Sequence, residues 1–419
     1  TICISGSPGP IFCLLRVAGT GALRHKLSYT TVAPLRHALR SEKQADPLRE
    51  KLAAVVERSA LSLLDPARIE AWAEDMRLIE RHRVHHAGLV IVALVLSALQ
   101  RSTDTEGRWL DARRTYEQIG GARSGKTSFR NNVIKLVPLM SKMLQQRVKQ
   151  LAERSPDTAL RGRLSRFADV LIPDGCAFKV AAALSGVYAG TGTDAEMKLH
   201  AVHSVRAGGA ASVESSAGSV HDSDGFWPER WEKNALYLWD LGFENKKRFI
   251  DASLAGAHVL QRLKSSSNPV VLASYGPTGH ALAVVDDLGR ALRFDDACAA
   301  GMLHSQRVLD LDVRIDDEQG RSLGARVVCV PFGEDRFYLT TLPRALFTPH
   351  DVAELYRVRW EVERMFRGWR GALRLDEIAR LSNAKSIVAA VTASLLAATL
   401  AQDITRGLVA LDQAVAFPP

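Results

Sequence analysis

The sequence predicts an α/β fold in which an all-helical N-terminal region precedes a strand–helix core, interrupted by a β-rich stretch and closed by helices. Three observations predict it. Apolar residues recur at helical spacing from about residue 31 to 165; the pattern changes at Phe167 to short apolar runs and period-2 alternation; helical spacing returns at Pro349. The 419 residues then divide into an irregular leader (1–30), a helical region (31–165), a first part of the core (166–270), a β-rich insertion (271–345) and closing helices (346–419).

The chain opens on Thr1, and its first segment is rich in Gly, Pro and Cys. The apolar stretch Pro10–Leu15 is broken by Arg16, which makes a poor signal peptide. In the helical region Leu48–Leu64 carries apolar positions at helical spacing, Asp65-Pro66 starts a new helix, and Val84–Leu99 is strongly apolar. Thr115–Val133 reads as helix, Gly120-Gly121 turn, helix, with Ser124 or Thr127 as N-cap, a pattern similar to a helix-turn-helix. Val170–Val180 and Met197–Val205 are strand patterns, and Leu236–Trp239 is a short buried strand ending at Asp240. Lys246–Ala255 is helical. Val270–Ala273, Ala281–Val285, Gly324–Pro331 and Phe337–Thr341 continue the strands; Pro349–Leu373 is one long helix and Ser386–Gln402 a small-residue one.

Hydrophobic content of 47% and charged content of 24% are ordinary for a globular chain. The longest apolar runs, Ala87–Leu99 and Ile387–Ala401, fall short of the ~20 residues a membrane span needs, so no membrane partner is expected. Five scattered cysteines without CxxC spacing suggest a reducing compartment and neither a disulfide framework nor a zinc knuckle. A net charge of +9 favours a polyanionic partner. The charge is concentrated: between Gly121 and Arg154 stand eight basic residues and one acid, Glu153. This stretch is expected to contact DNA, with Arg123, Lys126 and Arg130 on phosphates.

Cleaving a phosphodiester with water needs charge neutralisation at the phosphate and an activated hydroxide. Two Mg²⁺ (or Mn²⁺) ions held by a few carboxylates supply both. Asp174, in VLIPDG, sits inside an apolar strand, where an unpaired acid is costly. Asp240 ends LYLWD, directly before Leu241-Gly242-Phe243. Either aspartate alone also reads as a cap or turn former. The late helix, LYRVRWEVERMFRGWR, is more specific: Tyr356, Arg359, Glu363 and Arg370 fall within about 60° of one face at 100° per residue. Beside them runs an apolar stripe through Val358, Val362, Phe366 and Trp369. An amphipathic helix laced with Arg–Glu pairs is the alternative reading.

Y-x2-R-x3-E-x6-K is the signature of a large group of bacterial insertion-sequence transposases of the DDE type, and this helix resembles it with Arg370 in the Lys place. The resemblance covers most of 167–401. LIPDGCAF looks like the strand with the first Asp, YLWDLGFENKKRF followed by GAHVLQRLK like the second-Asp segment, and FYLTTLPRALFTPHDVAELYRVRWEVERMFRGWR like the strand and helix with the Glu. The family implies an RNase H-like catalytic core with a β-rich insertion between the second Asp and the Glu. It also implies two-metal cleavage at the transposon ends, followed by attack of the freed 3′-hydroxyl on target DNA. Asp174, Asp240 and Glu363 would then be the catalytic metal ligands. Tyr356, Arg359, Arg370, Arg262 and Lys264 would contact DNA phosphates. Partners would be double-stranded transposon ends and target, bound by a homodimer in the synaptic complex, in the bacterial cytoplasm at the nucleoid. Arg370 keeps the charge but not the compact ammonium. Some members flip a base onto an aromatic of the insertion, for which Phe332, Phe337 or Tyr338 would serve here.

Two other functions stay open at this point. GGARSGKT, Gly120–Thr127, matches the P-loop pattern of an ATPase, yet the residues before it are polar and helix-like. A catalytically decayed DNA-binding remnant would keep the fold without the chemistry. His200 and His203 face opposite sides of a strand and cannot easily share a metal. His82, His85 and His86 read as a basic helix face. His221-Asp222 stands just before the second-Asp segment, within reach of the site.

Overall fold

The computed structural model describes residues 47–78, 85–99, 105–153, 160–192, 194–224, 228, 230–264, 267–275, 281–299, 308–332, 334–378, 381 and 383–416. The leader expected over 1–30 lies outside the described residues, as does His82.

The N-terminal region is helical as expected: α1 (Pro47–Leu64), α2 (Pro66–Asp75), α3 (Ala87–Ala98), α4 (Thr105–Gln118), α5 (Lys126–Lys135) and α6 (Val137–Glu153). The Asp65 carboxylate accepts the Ala67 and Arg68 N–H groups and Pro66 fills the first position, so α2 starts where the sequence places it. α3 is apolar on nearly every side because it is enclosed by α1, α2, α4 and the last helix. A Cβ at Gly88 would lie 2.1 Å from the Pro66 carbonyl oxygen, so only glycine lets these helices meet this closely. Between α4 and α5, Gly120 takes φ +101° and Gly121 lies flat on the Tyr116 ring.

The core follows as β1 (Val170–Lys179), β2 (Glu196–Ser204), β3 (Gly209–Ala217), β4 (Leu236–Trp239), α7 (Lys246–Leu254) and β5 (His258–Arg262). Then come β6 (Val270–Tyr275), β7 (Ala281–Ala283), α8 (Phe294–Ala299), β8 (Leu309–Asp316), β9 (Ser322–Phe332) and β10 (Glu334–Thr340). All ten strands form one sheet in the order β3-β2-β1-β4-β5-β10-β9-β8-β6-β7. β1, β4 and β5 are mutually parallel and the other pairings antiparallel, a mixed sheet compatible with an RNase H-like core. The strands between α7 and the late helices extend this same sheet outward from β5.

α9 (Pro349–Arg357), α10 (Trp360–Leu373), α11 (Leu375–Ile378) and α12 (Ala384–Ala416) close the chain. The single helix expected over Pro349–Leu373 is two. Val358 and Arg359 keep helical dihedrals, but the N–H groups of Val358, Arg359 and Glu361 bond to carbonyls three residues back, a tightened turn between α9 and α10. β3 was not separated in the sequence because GAASVESSA is small and polar, without apolar alternation.

Residues 170, 172, 176 and 178 of β1 face a core shared with α3, α6, α10 and α12, while Leu171 faces a second core with α7 and the outer strands. The helical region therefore packs on the catalytic sheet itself. Arg147 of α6, 2% exposed, donates through Nη2 to Asp403 of α12 at 2.7 Å. Helix α12 is longer than its apolar run suggested. Its Ala384–Gly407 segment is, among the described residues, the one long and apolar enough to cross a membrane, and 72% of that apolar window is buried inside the protein, as a core helix would be.

Candidate active site

On β1 the side chains of Val170, Ile172, Cys176 and Phe178 are buried against the helices, and Asp174 interrupts this apolar row. β1 pairs with β4 only at Val170 and Leu171. Pro173 has no N–H to continue that ladder, and β4 ends at Trp239. The two parallel strands thus separate just before Asp174 and Asp240, leaving a crevice at the end of β4, the usual place for a site in such sheets.

Asp174 is 18% exposed, accepts the Gly175 N–H at 2.8 Å and lies 3.5 Å from the Arg359 guanidinium. Burial pushes its carboxyl up to about 6; the Gly175 bond and Arg359 pull it down, while Asp240 and Asp222 push it up. Five residues earlier, Asp169 behaves differently. It is buried too, but it accepts hydrogen bonds from Val170 N, Ser204 Oγ and Arg206 N, which tie β1 to the β2–β3 hairpin. Its oxygens are committed to the fold, and those of Asp174 are not.

Asp240 follows β4 and precedes a single 3₁₀ turn, Leu241–Phe243. The Tyr356 hydroxyl, from α9, donates to the Trp239 carbonyl at 3.2 Å and so fixes the end of the strand that carries Asp240. Burial, with Asp240 nearby, raises the Tyr356 phenol well above its usual range. Glu363 comes from α10, anchored by buried Val362, Phe366 and Trp369. One turn before it, Arg359 donates to Glu363 Oε1 at 2.5 Å. Burial lowers the Arg359 guanidinium, but Asp240, Tyr356, Asp174 and Glu363 outweigh it and the net shift is upward. One guanidinium therefore pairs with carboxylates from β1 and α10, and Asp240 acts on it electrostatically from the end of β4.

Among the described residues no three acids, imidazoles or thiols stand close enough to hold one ion as they are. The reason is visible: Arg359 takes the Asp174 and Glu363 oxygens between them. The donor set itself suits a hard divalent cation, since all three acids offer only oxygen and the burial strain on ionised Asp174 is what a cation would relieve.

The other expected contacts fall in two groups. Arg262, at the end of β5, acts electrostatically on Tyr356. Arg370 lies on α10 and hydrogen-bonds back to β1, to Cys176 Sγ at 3.2 Å and the Ala177 carbonyl at 2.9 Å. Lys264 is exposed and acts on Glu244 instead. Arg123 and Lys126 are exposed and Arg130 half-buried at the α4–α5 corner, on a different element from the acids. Gly120–Thr127 joins α4 to α5, so the P-loop pattern lacks the preceding strand a nucleotide site requires. Phe337 is half-buried and packs edge-on to Phe294 at 5.1 Å, Tyr338 is buried, and the Phe332 side chain lies outside the described ones. The sequence reading overlooked Trp360, which is 52% exposed beside Arg359 with the Arg367 guanidinium 5.7 Å from its ring centroid. A tryptophan on the face opposite the buried stripe of an amphipathic helix was the available signal.

Residues 167–400 match the family described as the transposase DDE domain. The match spans more than half of the chain, and the chain belongs to that family. Membership supports a transposase function, a nuclease-type enzyme, and implies a DNA substrate. No curated protein matches the chain.

Proposed function

We propose that the protein is an insertion-sequence transposase that cuts the element ends and joins them to target DNA, with Asp174, Asp240 and Glu363 as its catalytic carboxylates. The observation that carries this is Arg359, which pairs with Asp174 and Glu363 from two elements and feels the charge of Asp240 from a third. The Y-R-E part of the signature supports it, since Tyr356, Arg359 and Glu363 all touch this one centre.

Asp174, Asp240 and Glu363 would hold Mg²⁺ or Mn²⁺, two ions, which supply charge neutralisation at the scissile phosphate and an activated hydroxide. Tyr356 keeps the Asp240 strand end in place through the Trp239 carbonyl. Arg359 exchanges its carboxylate partners for a phosphate of the bound DNA, a charge-assisted, bidentate-capable partner of the same kind. Water then breaks a P–O bond at the element end and leaves a 3′-hydroxyl. That hydroxyl attacks a target phosphodiester, and the target's own 3′-oxygen leaves. Arg262, Lys264 and Arg370 flank this path. Arg123, Lys126 and Arg130 grip DNA away from it, in a homodimer that holds two ends. The exposed Trp360 ring is the aromatic best placed to stack on an unpaired base at the cut.

The test is incubation with supercoiled plasmid carrying the DNA that flanks the gene, plus Mg²⁺ or Mn²⁺, beside Asp240→Asn. Metal-dependent cuts at the element ends, absent in the variant, are expected. DNA binding without cleavage would identify a decayed, binding-only copy.

A further inference from the structure

The 3₁₀ turn Asp222–Asp224, between β3 and β4, lies across the sheet from α10 and belongs to no part of the chemistry described above. Its first residue reaches the two strand ends that carry the aspartates. Asp222 Oδ1 occupies the space beside Gly175, where a Cβ would stand 2.2 Å away, and Oδ2 is 3.8 Å from the Cβ position of Gly242. Gly175 follows Asp174 directly and Gly242 lies two residues past Asp240. The missing side chain at Gly175 is what admits the carboxylate, and Gly242 stands at ordinary contact distance from it.

The carboxylate is held from β2. Lys198 Nζ lies 3.3 Å from Oδ1 and also donates to the Val220 carbonyl at 2.7 Å. His200 Nδ1 is 3.8 Å from the same oxygen, and its Nε2 is 2.8 Å from Ser216 Oγ. A third tie comes from α7, where Arg248 donates to the Ser223 carbonyl. The turn is thus strapped to β2 and α7, and its acidic tip is wedged between the segments bearing Asp174 and Asp240. Packing alone does not call for this: Oδ1 is buried and is held by the Lys198 charge rather than by an aligned hydrogen bond, so a lysine is spent on keeping an ionised carboxylate at this place.

We propose that Asp222, clamped by Lys198 and His200, is a positioning residue that sets the approach of Asp174 and Asp240 so that both serve one metal centre. The proposal rests on the metal-holding reading of those acids. It assigns a task to Asp222 of the His221-Asp222 pair, and it explains why glycine stands at 175.

The experiment is a Mn²⁺ titration of the full chain bound to duplex DNA from its own flanking sequence, followed by loss of the free-ion EPR signal. It compares the wild type with Asp240→Asn, Asp222→Asn and Lys198→Gln. Asp222→Asn keeps the shape and loses the charge on which Lys198 closes. It is expected to weaken Mn²⁺ binding about 10-fold or more, the usual effect of removing a group that orients a metal ligand, with melting temperature and DNA affinity unchanged. A role in packing alone would move the melting temperature and leave Mn²⁺ binding as it was; that result overturns the proposal. Lys198→Gln releases the carboxylate without touching β1 and is expected to lose Mn²⁺ affinity in the same direction, so the question remains answerable if Asp222→Asn fails to fold. Wild-type Mn²⁺ binding by folded Lys198→Gln also overturns it. If Asp240→Asn binds Mn²⁺ as the wild type does, the metal reading and this proposal fall together; if only Asp240→Asn loses the ion, this proposal falls alone.

Discussion

Replacing Asp174 by Asn is expected to make the protein more stable while ending its chemistry. The carboxyl is raised from 3.8 to about 6, chiefly by burial. At 1.36 kcal/mol per pKa unit, the ionised form costs the fold about 3 kcal/mol. Because the folded value lies above the unfolded one, the unfolded chain loses this proton first as pH rises. The stability contributed by the protonated carboxyl is complete below about pH 4 and is lost between about 4 and 6. Asn carries no charge to desolvate, although its amide is also buried and Arg359 loses one partner at 3.5 Å. The net gain at pH 7.5 is then about 1–3 kcal/mol, or roughly 1–4 °C in melting temperature for a chain of 419 residues. The assay is thermal unfolding in chelator at pH 7.5 and pH 4.5. The gain should mostly disappear at the lower pH, where wild-type Asp174 already holds its proton. An Asn variant no more stable than wild type at pH 7.5, or equally stabilised at both pH values, would refute the reasoning that burial strains an ionised Asp174.

Arg147→Ala removes a 2%-exposed guanidinium from Asp403 and is expected to cost about 3 kcal/mol or more, read by denaturant unfolding. Lys126→Ala should weaken DNA binding nearly uniformly across sequences and reduce the salt slope of log K by about 1, while ATP binding is absent in both proteins; a lost nucleotide affinity would instead favour the ATPase reading. Trp360→Ala leaves stability untouched because the ring is half exposed, but should lower affinity for a duplex with an unpaired terminal base by about 1–3 kcal/mol relative to a fully paired one, measured by competition. Equal losses on both duplexes would assign Trp360 to general backbone contact.

Elements whose burial pattern repeats were legible in the sequence. β1 carries its apolar row in single file, α10 its stripe, and Asp65-Pro66 its helix start, so each appears where the residues place it. β3 was illegible because its partners supply the apolar surface and it supplies small residues for α6 to lie on. The break at Val358-Arg359 leaves no composition signal, since both residues keep helical dihedrals and only the hydrogen-bond spacing changes. Within the candidate site, the two aspartates could be picked out as charges in an apolar strand and at a strand end, and Glu363 from the polar face of the late helix. That Tyr356 would spend its hydroxyl on the Trp239 carbonyl, 117 residues away, and that Asp222 would reach Gly175 from the opposite face depend on the tertiary fold, and no local pattern encodes them.

Helix α12 has a consequence for how the molecule comes into being. Arg147 and Asp403 are 256 residues apart in sequence, and α12 packs on α1, α3 and α6 as well as on α10. Contacts of such separation are closed late in folding. The helices that would seek DNA cannot complete their core until α12 has been made, so a chain cut at Ile378 is expected to expose α3 and α6 and to lose hydrogen-exchange protection in both. Grip and cutting edge would then mature together, and no half-made protein would occupy DNA it cannot yet cut.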